Sequence, residues 1–350
     1  MTPRGRKPIT AVIFPLIAAI AVIVFGIFAN KKAEETYRKQ ETLMPQVQLA
    51  EVLESIQGGD YETMFNASQK LSPSLDSKEA YVERLTEIFK DRDLTAITTE
   101  TVSESDDKRE YRLIDGDTLL GTLTLLKEGD SWVPAFPLKG NKSYRVEVPT
   151  GLSLNVYGTP VGSEYCVETG QEAANFFQLT DPSVIPFVDI YEFDGLLGEP
   201  ALNQDEGYAM IQDVLSKDWL LGKEITDEAL LNELVEDAKL IAEYPAQDTA
   251  LANVTAISDT SSRWYQKYVT LQNWWFTSHS KMEITNEAIK AIAQSDDTIV
   301  AHISFDYYAD NGEVNRTWNV GYQLTFRKIN DRYVVCGTEL DSRLNPRQKY

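Results

Sequence analysis

A chain of 350 residues with 54 Asp and Glu against 33 Lys and Arg has a formal charge of −21. Nucleic acid is thereby excluded as a leading partner, because phosphate contacts need clustered Lys and Arg. Hydrophobic residues make up 43% and aromatic residues 10%, enough to bury cores in two or three domains. The charge is uneven: residues 1–39 hold seven basic and two acidic side chains, net +5, which leaves −26 for residues 40–350. The acidic part is unsuited to lying on anionic lipid, and its charge keeps it soluble.

The run from Ile9 to Ala29 has no charged residue, and as a helix it would reach about 30 Å, the thickness of a bilayer's hydrocarbon core. Arg4, Arg6 and Lys7 precede it, whereas Lys31 and Lys32 are mixed with Glu34 and Glu35 after it. The denser basic flank predicts a cytoplasmic tail at 1–8, a single span at 9–30 and everything else outside. A cleaved signal peptide is the rival, but its apolar region is usually about 7 to 15 residues long, and here the run is longer. With no ionisable residue inside it, the span is expected to anchor rather than transport.

Residues 33–57 read as a helix continuing from the span, with Leu43, Val47, Ala50, Leu53 and Ile56 at helical spacing. Gly58-Gly59-Asp60 ends it. Two more helices are predicted at Tyr61 to Lys70 and at Ser77 to Lys90, the latter with Tyr81, Leu85, Ile88 and Phe89 in one stripe. The period then becomes two. Strands are predicted at Leu94 to Val102, Glu110 to Ile114, Leu119 to Leu126 and Trp132 to Pro137, separated by Asp- and Gly-rich turns. Helices followed by an antiparallel meander mean an α+β domain. The pieces GGDYETMF (58–65) and REYRLIDGDTLLGTLTLLKEGDSWVPAF (109–136) resemble the small cone-shaped nuclear-transport-factor-two-like domains outside bacterial membranes. The N-terminal domain of the methicillin-resistance penicillin-binding proteins is one such relative. A first cone-shaped domain at 31–139 is what this resemblance implies.

Residues 140–205 are rich in proline and poor in helical pattern. YRVEVPTGLSLNVYGTPVG (144–162) alternates around a Pro-Thr-Gly turn, and FVDIYEFDGLLGEP (187–200) adds strand material. Val148, Pro149, Gly151, Val156, Gly158 and Val161 resemble the hairpin of immunoglobulin-like modules in teicoplanin-resistance-associated membrane proteins. That resemblance implies a small β-sandwich over 140–205.

Helical signals return at Glu206 to Leu215 and at Asp227 to Glu243, where Leu231, Leu234, Val235, Ala238 and Ile241 form a stripe ended by Tyr244-Pro245. Ser261 to Phe276 is aromatic-rich. Lys281 to Ala293 has a helical composition, while the cone-shaped layout places a strand there. Alternating segments follow: Ile299 to Tyr307 and Trp318 to Phe326 flank Asp310-Asn311-Gly312, a hairpin signal, and RYVVCGTEL (332–340) closes the series. The stretch 300–335 again resembles the cone-shaped family, which implies a second such domain at 206–350. The predicted architecture is therefore α+β: an N-terminal transmembrane helix, then two cone-shaped domains flanking a small β-sandwich.

No catalytic constellation is present, and no enzyme is expected. Ser278 to Lys281 spells S-x-x-K, but K-T-G and S-D-N companions are missing. Two histidines and two distant cysteines are a poor zinc ligand set, and no cofactor is implied. Cys166 and Cys336 are expected as separate thiols, although a location outside would permit a disulfide. Asn66, Asn141, Asn253 and Asn315 begin N-x-Ser/Thr triplets, acceptors only in a eukaryotic secretory pathway. Trp264, Tyr268, Leu271 and Trp275 recur at helical spacing and could line a cavity in the second cone or simply pack its core. His302, Ser304 and Asp306 share the polar face of one strand; they form a polar pocket if that face turns into the cone, and face water otherwise. The candidate pocket is thus Trp264, Tyr268, Trp275, His302, Ser304 and Asp306.

These features predict a non-enzymatic, single-pass bacterial envelope protein in the cell membrane. Its outside domains would act as spacer and docking scaffold for an envelope or cell-wall partner. The alternative is a sensor that binds a small wall-related ligand in a cone cavity, and a third reading is a hydrolase with an acid or base pair inside the cone.

Overall fold

The computed structural model describes residues 31–32, 45–59, 61–129, 131–271 and 279–348. The predicted span lies outside these residues. No helix among the described residues is long and apolar enough to cross a membrane. The chain falls into two compact units, one comprising residues up to Ser74 with Lys78–Lys139, the other Leu75–Ser77 with the chain from Gly140 on.

The first unit places three helices before one sheet. The helices are α1 (Pro45–Gly58), α2 (Glu62–Leu71) and α3 (Lys78–Phe89). The strands β1 (Thr98–Glu104), β2 (Lys108–Asp115), β3 (Thr118–Glu128) and β4 (Ser131–Ala135) pair antiparallel in sequence order. In α3, Tyr81, Leu85 and Phe89 are buried at a spacing of four, and the opposing Tyr111 and Leu123 are buried on β2 and β3. The strand expected from Leu94 starts later. Asp93 caps a single 3-10 turn at Leu94–Ala96 by accepting from the Thr95 amide. A buried clasp ties α2, α3 and β4 together: Phe136 N donates to Ser68 Oγ at 2.8 Å and the Tyr81 hydroxyl donates to Phe136 O at 3.0 Å. Burial pushes the Tyr81 hydroxyl up to about 12.

The second unit is built on one nine-stranded sheet. Its strands are β5 (Lys142–Pro149), β8 (Cys166–Glu172), β9 (Phe187–Leu196), β10 (Tyr208–Gln212), β11 (Trp219–Glu224), β12 (Lys281–Ser295), β13 (Thr298–Asp310), β14 (Asn315–Ile329) and β15 (Arg332–Leu340), with β6 (Asn155–Val156) and β7 (Thr159–Pro160) as a separate small hairpin. The order is β15-β14-β13-β12-β11-β5-β9-β8, with β10 pairing β11 from the side. The strands of 140–205 therefore do not form a sandwich of their own. β5 joins β11 in parallel through Trp219 with Val146 and Leu220 with Glu147, so its backbone hydrogen bonds continue the sheet of β12 to β15.

The stretch Glu206 to Leu215 is the strand β10, because Tyr208–Gln212 find ladder partners in Trp219–Lys223. The ambiguous Lys281 to Ala293 lies in strand β12, fifteen residues long and paired with β13 from Lys281 to Ser295 apart from two bulges. One face of the sheet is covered by α4 (Glu228–Ala246), α5 (Leu251–Ala256) and α6 (Arg263–Tyr268). Leu234, Val235, Ala238, Ile241 and Ala242 of α4 pack there against Ile303, Phe305 and Tyr307 of β13. The opposite face packs Phe176, Leu179, Ile190, Leu220, Ile292 and Val300.

Candidate functional site

Helix α6 is six residues long, too short to hold itself. Ser262 fixes its start by accepting from Tyr265 N at 3.0 Å and donating to Asp259 O at 2.8 Å. Asp259 N in turn donates to Val335 O on β15 at 2.8 Å. The far end is held by Tyr268, whose hydroxyl donates to the carbonyl of Ile241 in α4. That carbonyl sits four residues before Pro245, which lies inside the helix and has no N–H to offer. The tyrosine supplies the donor that the proline removes. Burial raises the Tyr268 hydroxyl well above its ordinary range, so it stays protonated and able to donate.

Between α4, α6 and the helix-facing side of β14 and β15 is a cavity of about 360 Å³. Trp264, Tyr268 and Tyr322 supply aromatic walls, with Ile241 and Pro245 from α4. Leu271 and Leu340 stand at its edge, 50% and 63% exposed. Lys267, Gln178, Thr338 and Tyr322 also belong to its lining. Thr338 Oγ1 is buried without a hydrogen-bond partner. Burial alone raises the Tyr322 hydroxyl, so it too remains protonated. Among the described residues its lining contains no carboxylate and no imidazole. Its size and aromatic walls suit a compact apolar group.

Of the predicted pocket residues, the structure brings together Trp264 and Tyr268. Trp275 lies outside the described residues. His302, Ser304 and Asp306 do not join them, because strand alternation turns Ile303, Phe305 and Tyr307 toward the helices and these three to the opposite face. They are not water-facing either. His302 adjoins a second, polar cavity of about 390 Å³ with Asp213, Lys290 and Arg343 in its lining. Gln323 Nε2 donates to Asp213 Oδ1 at 2.5 Å, which points its Oε1 at Val214 N (2.9 Å) and at His302 Nε2 (3.1 Å). His302 Nε2 is therefore a donor. Burial lowers the imidazole's proton affinity against the opposing pull of Gln323, Asp213 and the Gln212 backbone. Ser304 is buried. Asp306 receives Asn319 at 2.7 Å, Asn286 at 2.9 Å and Asn345 at 3.2 Å. Burial opposes its charge, but these amides outweigh burial and hold the carboxyl below its usual value. It locks the C-terminal segment to the sheet.

The S-x-x-K reading needs serine and lysine on one helical turn. Lys281 instead opens strand β12, opposite Asp310, while Ser278 lies outside the described residues. His279 Nε2 is 2.7 Å from Asp248 Oδ1. Cys166 and Cys336 are both free thiols. Among the described residues, no group of three or more His, Cys, Asp or Glu could hold a metal ion. Sequence reasoning missed Gln178, Lys267, Tyr322 and Thr338. Tyr322 and Thr338 were legible only as parts of alternating strands, and Gln178 reaches the cavity from a loop, where its carbonyl accepts from Arg263 N.

No family model matches the chain, and no curated protein matches it. Among solved structures, one described as an "Ntf2 like protein involved in plasmid conjugation" aligns over 70% of this chain and 76% of its own, with 7% identity and a TM-score of 0.26. A likeness that slight carries no conclusion about this chain.

Proposed function

We propose that this chain is a non-enzymatic envelope protein, anchored by Ile9 to Ala29 with its remainder outside. Its second unit takes a compact apolar ligand between Trp264, Tyr268 and Tyr322. The observation that carries this reading is the aromatic cavity of about 360 Å³, within the size range of small-molecule sites, about 300 to 1,000 Å³. The cone-shaped, nuclear-transport-factor-two-like reading of residues 31–139 and 206–350 is part of the proposal. What supports it is the order of elements, since helices precede an antiparallel meander in each stretch. A docking scaffold for an envelope or cell-wall partner is the second reading. Exposed Phe177 and Phe187, at 47% and 54%, favour it as apolar side chains outside the cavity.

The test is calorimetric titration of the full chain in neutral detergent with 2-naphthamide, a flat neutral probe, after subtraction of a detergent blank. One saturable site is expected, weakened at least about tenfold by Trp264→Ala, in line with the loss of a large buried aromatic wall. Leu340→Trp, at a position exposed enough to leave folding intact, should also weaken it by crowding the mouth. Absence of saturable heat, or binding indifferent to both variants, overturns the ligand reading.

A further inference from the structure

We infer that the ligand of the Trp264–Tyr268 cavity is an amphiphilic anion: an aromatic or alicyclic body carrying one carboxylate-like head. This rests on the ligand-binding reading and goes further by assigning the head group. Lys267 is the one charged side chain in the described lining, in a protein where acids outnumber bases 54 to 33. It lies one residue before Tyr268 and is exposed at the end of α6, so an ammonium stands at the mouth while the aromatic walls lie deeper. The other polar groups are of matching kind. The Tyr322 phenol keeps its proton. With the Gln178 amide these groups offer several donors and no fixed negative charge. A carboxylate brings only acceptors. A neutral apolar ligand leaves these donors without an acceptor. A cationic one faces Lys267 with no carboxylate to balance it.

The experiment compares 2-naphthoate with 2-naphthamide, equal in shape and different in head charge, on the wild-type full chain and on Lys267→Glu and Lys267→Met. The naphthoate is expected to bind more tightly than the amide. Lys267→Glu should weaken the naphthoate about three- to tenfold, as reversal of one solvent-exposed charge implies, and leave the naphthamide within about twofold. Lys267→Met should fall between. If the amide binds as tightly as the acid, or if the preference for the acid survives Lys267→Glu, the assignment of an anionic head is overturned while the cavity reading stands. If neither probe binds, the cavity reading itself fails and takes this inference with it.

Discussion

The indole of Trp264 stacks on the ring of Tyr268 with 5.0 Å between centroids and 24° between planes. The stack is a wall of the cavity, and it is only as rigid as the anchor of Tyr268 on the Ile241 carbonyl. Because Pro245 leaves that carbonyl without its helical partner, the two residues are expected to couple. Tyr268→Phe should cost about 1 to 3 kcal/mol, the range for a buried acceptor left unsatisfied. In a Pro245→Ala background, residue 245 can donate to Ile241 and the cost of Tyr268→Phe should shrink by about half or more. Chemical unfolding of the four proteins of this cycle measures it. An unchanged cost would mean that the hydroxyl contributes nothing through this carbonyl.

Gly321 on β14 lies where the C-terminal segment crosses the sheet. A Cβ there would come within 2.3 Å of Asp341 O and 2.9 Å of Leu344 Cβ, while Asp341 N donates to Gly321 O at 2.9 Å. Gly321→Ala should therefore lift the segment that carries Asn345, at a cost of about 1 to 3 kcal/mol as in other overpacked sites. Limited proteolysis near Leu344 should speed up in the variant, and an unchanged cleavage rate would show that the segment yields without cost.

Glu147 of β5 is 4% exposed and its Oε2 has no partner. It sits beside Ile190 and Leu220. Burial, then Asp213 and Asp218, push its carboxyl up to about 7 against the weaker pull of Arg145. A raised folded value means stability that is complete below the unfolded value of 4.5 and lost as pH rises through about 7. The loss is at most about 3 kcal/mol. Asp237, also about 7 through burial, adds in the same direction. Glu147→Gln should flatten the decline between pH 5 and 8 and gain stability at the alkaline end, about 1 to 3 kcal/mol. Denaturant midpoints across that range are the readout.

Much of the fold was legible and part of it was not, for identifiable reasons. In α3 and α4 the apolar spacing of three and four survives unbroken, so both helices could be read directly. In β12 it does not. Thr285 pairs with Asp306 but the next partner of Ser304 is Ala288, and Asn286 has φ +61°. This bulge moves the core-facing positions from Met282 and Ile284 to Ile289, Ala291 and Ala293, a phase change that hides the strand among helix-forming residues. β10 was misread because local composition competes poorly with a ladder partner, here Trp219–Lys223. The candidate site was half legible. The spacing of Trp264 and Tyr268 put both on one face of a helix, but the side of β13 that faces that helix is set by its pairing with β12 and β14, which alternation alone does not show.

The proposed topology is open to a labelling experiment. Cys166 is half-buried and Cys336 is fully buried, its thiol pushed up to about 12 by burial. If the acidic remainder is outside, a membrane-impermeant maleimide added to intact cells should label the protein, and Cys166→Ser should abolish that label. Labelling that required lysis would contradict the orientation inferred from Arg4, Arg6 and Lys7.

The cavity itself is tested most directly by diffraction from crystals grown with 6-bromo-2-naphthamide, using the anomalous signal of bromine. One strong peak is expected between Trp264, Tyr268 and Tyr322, and it should disappear in Trp264→Ala. A bromine peak elsewhere on the protein, with the space between these three rings left to water, would contradict the ligand-binding function.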